Sequence, residues 1–188
     1  MPLQIQELIN YSSHGHSKRV AQISGLLAAK MGYSPSDISK IIQAAALHDV
    51  GKMCIDAAIL NKPGKLTPEE FEIVKTHTDI GAGLLMEAAE ILDIAITVAM
   101  YHHERYDGGS YHGLSGKEIN PVAGIVAASD VFDALISARP YKPPMAVPTI
   151  IDYFQSQAGR QFDSDIVAAL LFLIQEITPI YKQEAQRV

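Results

Sequence analysis

The chain has 188 residues, 48% of them apolar, and carries a net charge of −6 from 15 basic and 21 acidic side chains. That length suits one domain with a sizeable core, and the apolar fraction excludes a disordered chain. The acidic balance argues against a general nucleic-acid binder, whose binding face would be basic, but leaves room for a small anionic ligand where cations and metals cluster locally.

The N-terminus, Met1-Pro2-Leu3-Gln4-Ile5, lacks the basic start and apolar core of a signal peptide. From there helical period dominates. Val20, Ile23, Leu27 and Met31 share one helix face, with His16 a turn ahead of them, and Gly32 follows as a stop. Ser34-Pro35 restarts a helix as N-cap and first turn. Its inner face is expected at Ile38, Ile41, Ile42 and Ala45, and it delivers His48-Asp49 at its end. Cys54 is the one cysteine, so no intrachain disulfide is possible; it reads as a small buried apolar residue. The stretch Met53 to Lys65 is loop-like, with a turn at Asn61-Lys62-Pro63-Gly64.

Thr67-Pro68-Glu69-Glu70 is a capping box opening a helix that carries Phe71, Val74 and then His77. Gly81 and Gly83 allow close helix packing. Ile91, Ile94, Val98 and Tyr101 mark the next helix, with His102-His103 near its end. Glu104 to Glu118 holds four glycines and reads as a long irregular loop, a kind of segment that is usually functional in a compact domain. Asn120-Pro121 caps a helix with Ile125, Ala128, Phe132 and Ile136 on its apolar face and Asp130 and Asp133 beside it. The Pro-rich stretch from Ala138 to Pro144 breaks that helix, and two more follow, the last capped by Asp163 or Ser164. The longest apolar run, Ile166 to Ile174, falls well short of the ~20 residues of a membrane span. The expectation is a single all-α domain over 1–188, cytoplasmic and without a membrane segment.

Taken singly, each polar residue on an inner face has a plain explanation. A lone His16 or His77 is more often a hydrogen-bonded core residue, and a lone Asp130 more often a surface carboxylate. The set points elsewhere. Many ionisable groups at helix ends and inner faces need partners, and metal ions supply them. Imidazole and carboxylate without thiolate suit iron, manganese, zinc or nickel. Asp49 has two oxygens with which to bridge a pair of ions roughly 3.5–4 Å apart, an arrangement suited to phosphate ester hydrolysis. Lys52 lies near enough to reach a bound phosphate. Arg139 and Lys142 follow the helix of Asp130, where an arginine can grip phosphate through paired hydrogen bonds and where the plain reading is a solvated helix end.

At this point the sequence resembles the HD-GYP domains of the HD phosphohydrolase superfamily. The resemblance rests on His16-Ser17-Lys18-Arg19-Val20, His48-Asp49-Val50-Gly51-Lys52, Lys62-Pro63-Gly64-Lys65-Leu66-Thr67, His102-His103-Glu104-Arg105-Tyr106-Asp107-Gly108, Ala128-Ser129-Asp130-Val131-Phe132-Asp133-Ala134 and Arg139-Pro140-Tyr141-Lys142. It implies an all-α helical bundle around a buried metal centre, and hydrolysis of cyclic di-GMP to pGpG or onward to GMP by a metal-bridging hydroxide. It implies that His16, His48, Asp49, His77, His102, His103 and Asp130 hold divalent ions, often iron or manganese, with Asp49 as the bridge. Lys52 would sit by the scissile phosphate, Arg139 and Lys142 would grip the nucleotide, and sensor or diguanylate cyclase domains would be partners.

Two positions depart from the pattern. Ser110-Tyr111-His112 stands where the family has Gly-Tyr-Pro, keeping only Tyr111, a candidate substrate contact. Ser12 stands where members with a third metal carry glutamate, so two ions are expected rather than three. The altered loop also motivates an alternative, a non-catalytic module that binds a cyclic dinucleotide or a signalling partner. A third possibility is hydrolysis of another cyclic dinucleotide such as cyclic GMP-AMP.

Overall fold

A computed structural model describes residues 15–88, 93–137 and 143–184. The helices are α1 (Gly15–Lys30), α2 (Pro35–Ala46), α3 (Ala57–Leu60), α4 (Pro68–Lys75), α5 (His77–Glu87), α6 (Asp93–Tyr101), α7 (Pro121–Ile136), α8 (Val147–Gln157) and α9 (Ser164–Glu184). A 3₁₀ turn, Val50–Cys54, follows α2, and another, Gly116–Glu118, precedes α7. The described residues form no named strand, as the helical periodicity predicts. None of their helices is long and apolar enough to cross a membrane.

The caps explain where several helices begin. The Ser34 side chain accepts from the Asp37 amide, and Asn120 accepts from that of Val122, each just ahead of a proline in the first turn. Thr67 and Glu70 form the reciprocal capping box at the start of α4. Asp163 accepts from the Asp165 amide at the start of α9. Helix α1 packs on α2, α7 and α9, while α6 lies against α2, α5 and α7. The core between them includes Val20, Ile23, Leu27, Ile41, Val98, Ile125, Phe132 and Leu170, all buried.

The structure corrects five expectations, one of them, close packing at Gly83, through the open space around that residue. Ile42 lies at the rim of the α2 contact and is 38% exposed; Ile41 and Ala45 carry the buried face, with Ala44 beside them. Cys54 is exposed, because the 3₁₀ turn that buries Val50 and Gly51 carries its far end outward. The stretch after Asp49 is less irregular than its glycine and proline imply, containing the 3₁₀ turn and the short α3. Finally, one helix does not carry Phe71, Val74 and His77 together. The chain breaks at Thr76, so His77 opens α5, and Phe71 is exposed.

That break has a steric counterpart at Gly51. A Cβ on Gly51 would lie 2.0 Å from the His77 carbonyl oxygen and 2.6 Å from the Gly81 amide nitrogen. The turn after His48-Asp49 therefore rests backbone to backbone on the first turns of α5. Gly81 completes the contact, while Gly83 has open space around it.

Candidate metal centre

Three helices end in a histidine in the same way. His48 follows α2, His77 follows α4 and His102 follows α6. The last carbonyls of a helix lack intrahelical donors, and in each case the imidazole Nδ1 fills that need. His48 Nδ1 lies 2.8 Å from the Ala45 carbonyl, His77 Nδ1 2.6 Å from that of Val74, and His102 Nδ1 3.0 and 3.1 Å from those of Val98 and Ala99. A carbonyl only accepts, so Nδ1 carries the proton and Nε2 presents a lone pair. Those three Nε2 atoms are buried and make no hydrogen bond, and Asp49 Oδ1 is likewise buried without a partner. Leaving such atoms unsatisfied is costly. Cations on either side of Asp49 would satisfy these atoms, so the donor set fits divalent metals.

Asp49 stands between two groups of donors. Its Oδ1 lies 3.3 Å from His77 Nε2 and 3.6 Å from His102 Nε2, while its Oδ2 lies 3.3 Å from His48 Nε2. Asp49, His77, His102 and His103 converge with ligand atoms within 4.8 Å of one another, and His16, His48 and Asp49 form a second such group. Asp130, on α7, joins the second group through its Oδ1, 3.0 Å from His16 Nε2. All seven side chains expected as ligands thus meet at one place.

Further residues hold this set in position. Asp133 is buried; its Oδ2 accepts from His16 Nδ1 at 2.6 Å, and its two oxygens accept from Arg19 Nε and Nη2 at 2.6 and 3.0 Å. His16 is thereby turned so that Nε2 faces Asp130. Asp133 therefore orients a ligand histidine rather than facing solvent. Lys52 Nζ donates to Asp49 Oδ2 at 2.5 Å. Glu104, which the sequence reading did not single out, is buried and accepts from the His112 and Leu114 amides. Its position directly after the histidine pair was the available signal.

The charge balance follows from this crowding. Burial pushes the Asp49 carboxyl up, but the charge of His48 and the imidazoles of His102 and His77 prevail and hold it well below the usual range. Asp130 is lowered in the same way, with burial opposed by His16 and His48. Burial favours neutral His16, but Asp130 and Asp133 outweigh it and raise its pKa to about 9. Burial, with His102 and His77 beside it, depresses His103 to about 2.

A cleft of ≈ 580 Å³ opens on one side of the cluster, lined by His16, Arg19, Asp49, Lys52, Asp130 and Ser137 among others. On the other side Tyr111 lies with its ring centroid 4.9 Å from that of His103. Arg139, Lys142 and Ser12 lie outside the described residues. A separate apolar cavity between α7, α9 and the Tyr106 segment contains none of the expected ligands.

The HD domain family model matches residues 3–166. The chain belongs to the HD domain family. A cyclic di-GMP phosphodiesterase of Thermotoga maritima is 43% identical over 183 residues, an alignment covering 96% of this chain and 50% of that protein. A 3′3′-cGAMP-specific phosphodiesterase of Vibrio cholerae is 39% identical, with 83% of this chain and 30% of that protein covered. The chain therefore spans half or less of the length of these relatives. Among solved structures, Bd1817, an HD-GYP-type protein of Bdellovibrio bacteriovorus, superposes with a TM-score of 0.70 at 21% identity, over 92% of this chain and 55% of that one. The fold is the expected all-α one. HD domains bind divalent metals, and the histidine–aspartate cluster provides for them.

Proposed function

We propose that the chain is a metal-dependent phosphodiesterase acting on cyclic di-GMP, yielding pGpG or, onward, GMP, and that residues 1–188 work as one such unit in the cytoplasm. The observation that carries this reading is the sharing of Asp49 between two donor groups beside an open cleft. One ion would be held by His16, His48, Asp49 and Asp130, the other by Asp49, His77, His102 and His103. Two groups favour two ions, and the imidazole and carboxylate donors favour iron or manganese, with zinc and nickel also suited. Such ions would supply positive charge to phosphoryl oxygens and lower the proton affinity of an attacking water.

The chain's own residues do the rest. The tautomers fixed at three helix ends aim Nε2 inward before any ligand arrives, so little reorganisation is needed. Lys52 neutralises Asp49 and lines the cleft, where its ammonium meets an incoming phosphate. Ser137 also lines the cleft and stands two residues before Arg139. That supports assigning Arg139 and Lys142 to the nucleotide phosphates. Tyr111 lies against His103 and is assigned as a substrate contact on that side of the ions. Sensor or diguanylate cyclase domains are the partners this reading implies. The alternative of a non-catalytic module gains nothing from the complete ligand set.

Identity of 39% to a cGAMP-specific enzyme gives cyclic GMP-AMP a claim as substrate. Both nucleotides are to be incubated with iron- or manganese-loaded protein and the products separated by chromatography. The expected result is pGpG from cyclic di-GMP, faster than any product of cyclic GMP-AMP, and none from Asp49→Ala. Faster cleavage of cyclic GMP-AMP would transfer the assignment to that substrate. Intact nucleotides in the presence of confirmed bound metal would end the phosphodiesterase reading.

A further inference from the structure

We infer that Glu104, Ser110 and His112 are positioning residues that latch the segment after His103 over one side of the metal centre, with Tyr111 as its inner wall. The inference rests on the metal-centre reading above.

The latch has anchors on two helices. Glu104 accepts from the His112 amide at 2.9 Å and the Leu114 amide at 2.8 Å. Gly113 lies between them at φ +78°, a conformation that suits glycine and brings both amides to one carboxylate. The Ser110 hydroxyl donates to the carbonyl of His103 itself, at 2.5 Å. The His112 side chain reaches α5: its Nε2 lies 3.3 Å from Thr78 Oγ1, whose own proton goes to the Lys75 carbonyl at 3.0 Å, so the imidazole is the donor. Its ring also stands edge-on to Tyr101, with centroids 5.4 Å apart.

Tyr111 is held between these anchors. Its ring lies against His103, edge-on to His77 at 6.5 Å and to Phe71 at 6.3 Å. The two positions where this chain departs from Gly-Tyr-Pro each form a bond that Gly-Tyr-Pro has no atoms to make. Proline at 112 has no amide proton for Glu104, and glycine at 110 has no hydroxyl for His103. The departures therefore strengthen the closure. The latch thus holds Tyr111 against the His103 side of the centre, opposite the cleft at His16, Lys52 and Asp130.

The test compares the manganese-loaded protein with the Ser110→Gly/His112→Pro double variant, which restores Gly-Tyr-Pro, and with Ser110→Thr, which keeps the hydroxyl. Two quantities are read: amide exchange across residues 110–114, and release of each ion to excess chelator. In the double variant, exchange of the Leu114 amide is expected to quicken about tenfold. One of the two ions should leave about tenfold faster while the other keeps its rate. Ser110→Thr should match the parent in both. If the double variant does not fold, judged by circular dichroism, Glu104→Gln carries the same expectations, since it sets an NH2 donor against one of the two loop amides from which Glu104 accepts through separate oxygens. Parental release rates for both ions in the folded variant would overturn the latch. Protein that keeps its metals but cleaves no cyclic dinucleotide would instead overturn the phosphodiesterase reading and leave the latch standing.

Discussion

At the scale of single residues, the metal centre is a set of lone pairs whose directions are fixed elsewhere. Three imidazoles take their tautomer from helix-terminal carbonyls, and His16 takes its orientation from Asp133. His16 differs from the rest in its proton. Held by Asp130 and Asp133 against the effect of burial, it titrates at about 9 and is protonated at neutral pH when no metal is present. A metal must displace that proton, because a ligand histidine is neutral. The sign is therefore fixed: affinity rises with pH through the neutral range and levels off above the His16 pKa. His103, already depressed to about 2, contributes nothing to the slope. Titration calorimetry with manganese in buffers of differing ionisation enthalpy should detect proton release at pH 7.5. In His16→Ala that release should fall by about one proton per chain. Equal release in the two proteins would mean that His16 is not a ligand.

At the scale of elements, the site depends on how closely a turn approaches a helix. The 3₁₀ turn after His48-Asp49 rests on the start of α5, and Gly51 makes the approach possible. In Gly51→Ala, the added methyl would overlap the His77 carbonyl, and α5 must move. Overpacking of this kind destabilises by about 1–3 kcal/mol, sometimes more. Because His77 is the first residue of α5, the same movement pulls one ligand away from Asp49. The expected outcome is a lowered urea midpoint together with loss of one bound ion by elemental analysis. A variant that retains both ions would show that α5 can shift without carrying His77 with it. The sequence showed much of this architecture. Ser34, Thr67 and Asn120 are caps that act through near neighbours, and the buried stripe of α7 has helical period, so local rules suffice for them. The break at Thr76 was not legible; the close contact beside it joins segments some 25 residues apart, which no local pattern reports. The role of Glu104 was hidden for the same reason. Its partners are backbone amides, which every residue but proline carries, so the pairing shows only once the loop is folded.

At the scale of the whole molecule, the ligands come from four helix ends or faces and from the turn after α2, so the cluster ties together elements distant in sequence. Without a cation, His48 Nε2, Asp49 Oδ1, His77 Nε2 and His102 Nε2 remain buried and unpaired among those helices. Each such atom costs about 1–3 kcal/mol when it has no partner, which strains the packing of α2, α5 and α6 around Asp49. The unfolded chain cannot assemble the site, so metal binding and folding are coupled. A ligand at a hundred times its dissociation constant stabilises the folded state by about 2.7 kcal/mol. For a chain of this size, each kcal/mol raises the melting temperature by roughly 2–4 °C. Manganese added to chelator-treated protein should therefore raise the melting temperature by about 5–10 °C per tightly held ion. Asp49→Ala, which lacks the carboxylate common to both groups, should show almost none of that rise. Differential scanning calorimetry of the two proteins, with and without manganese, makes the comparison. An equal rise in Asp49→Ala would place the stabilising metal away from Asp49 and dissolve the link between the cluster and the stability of the bundle.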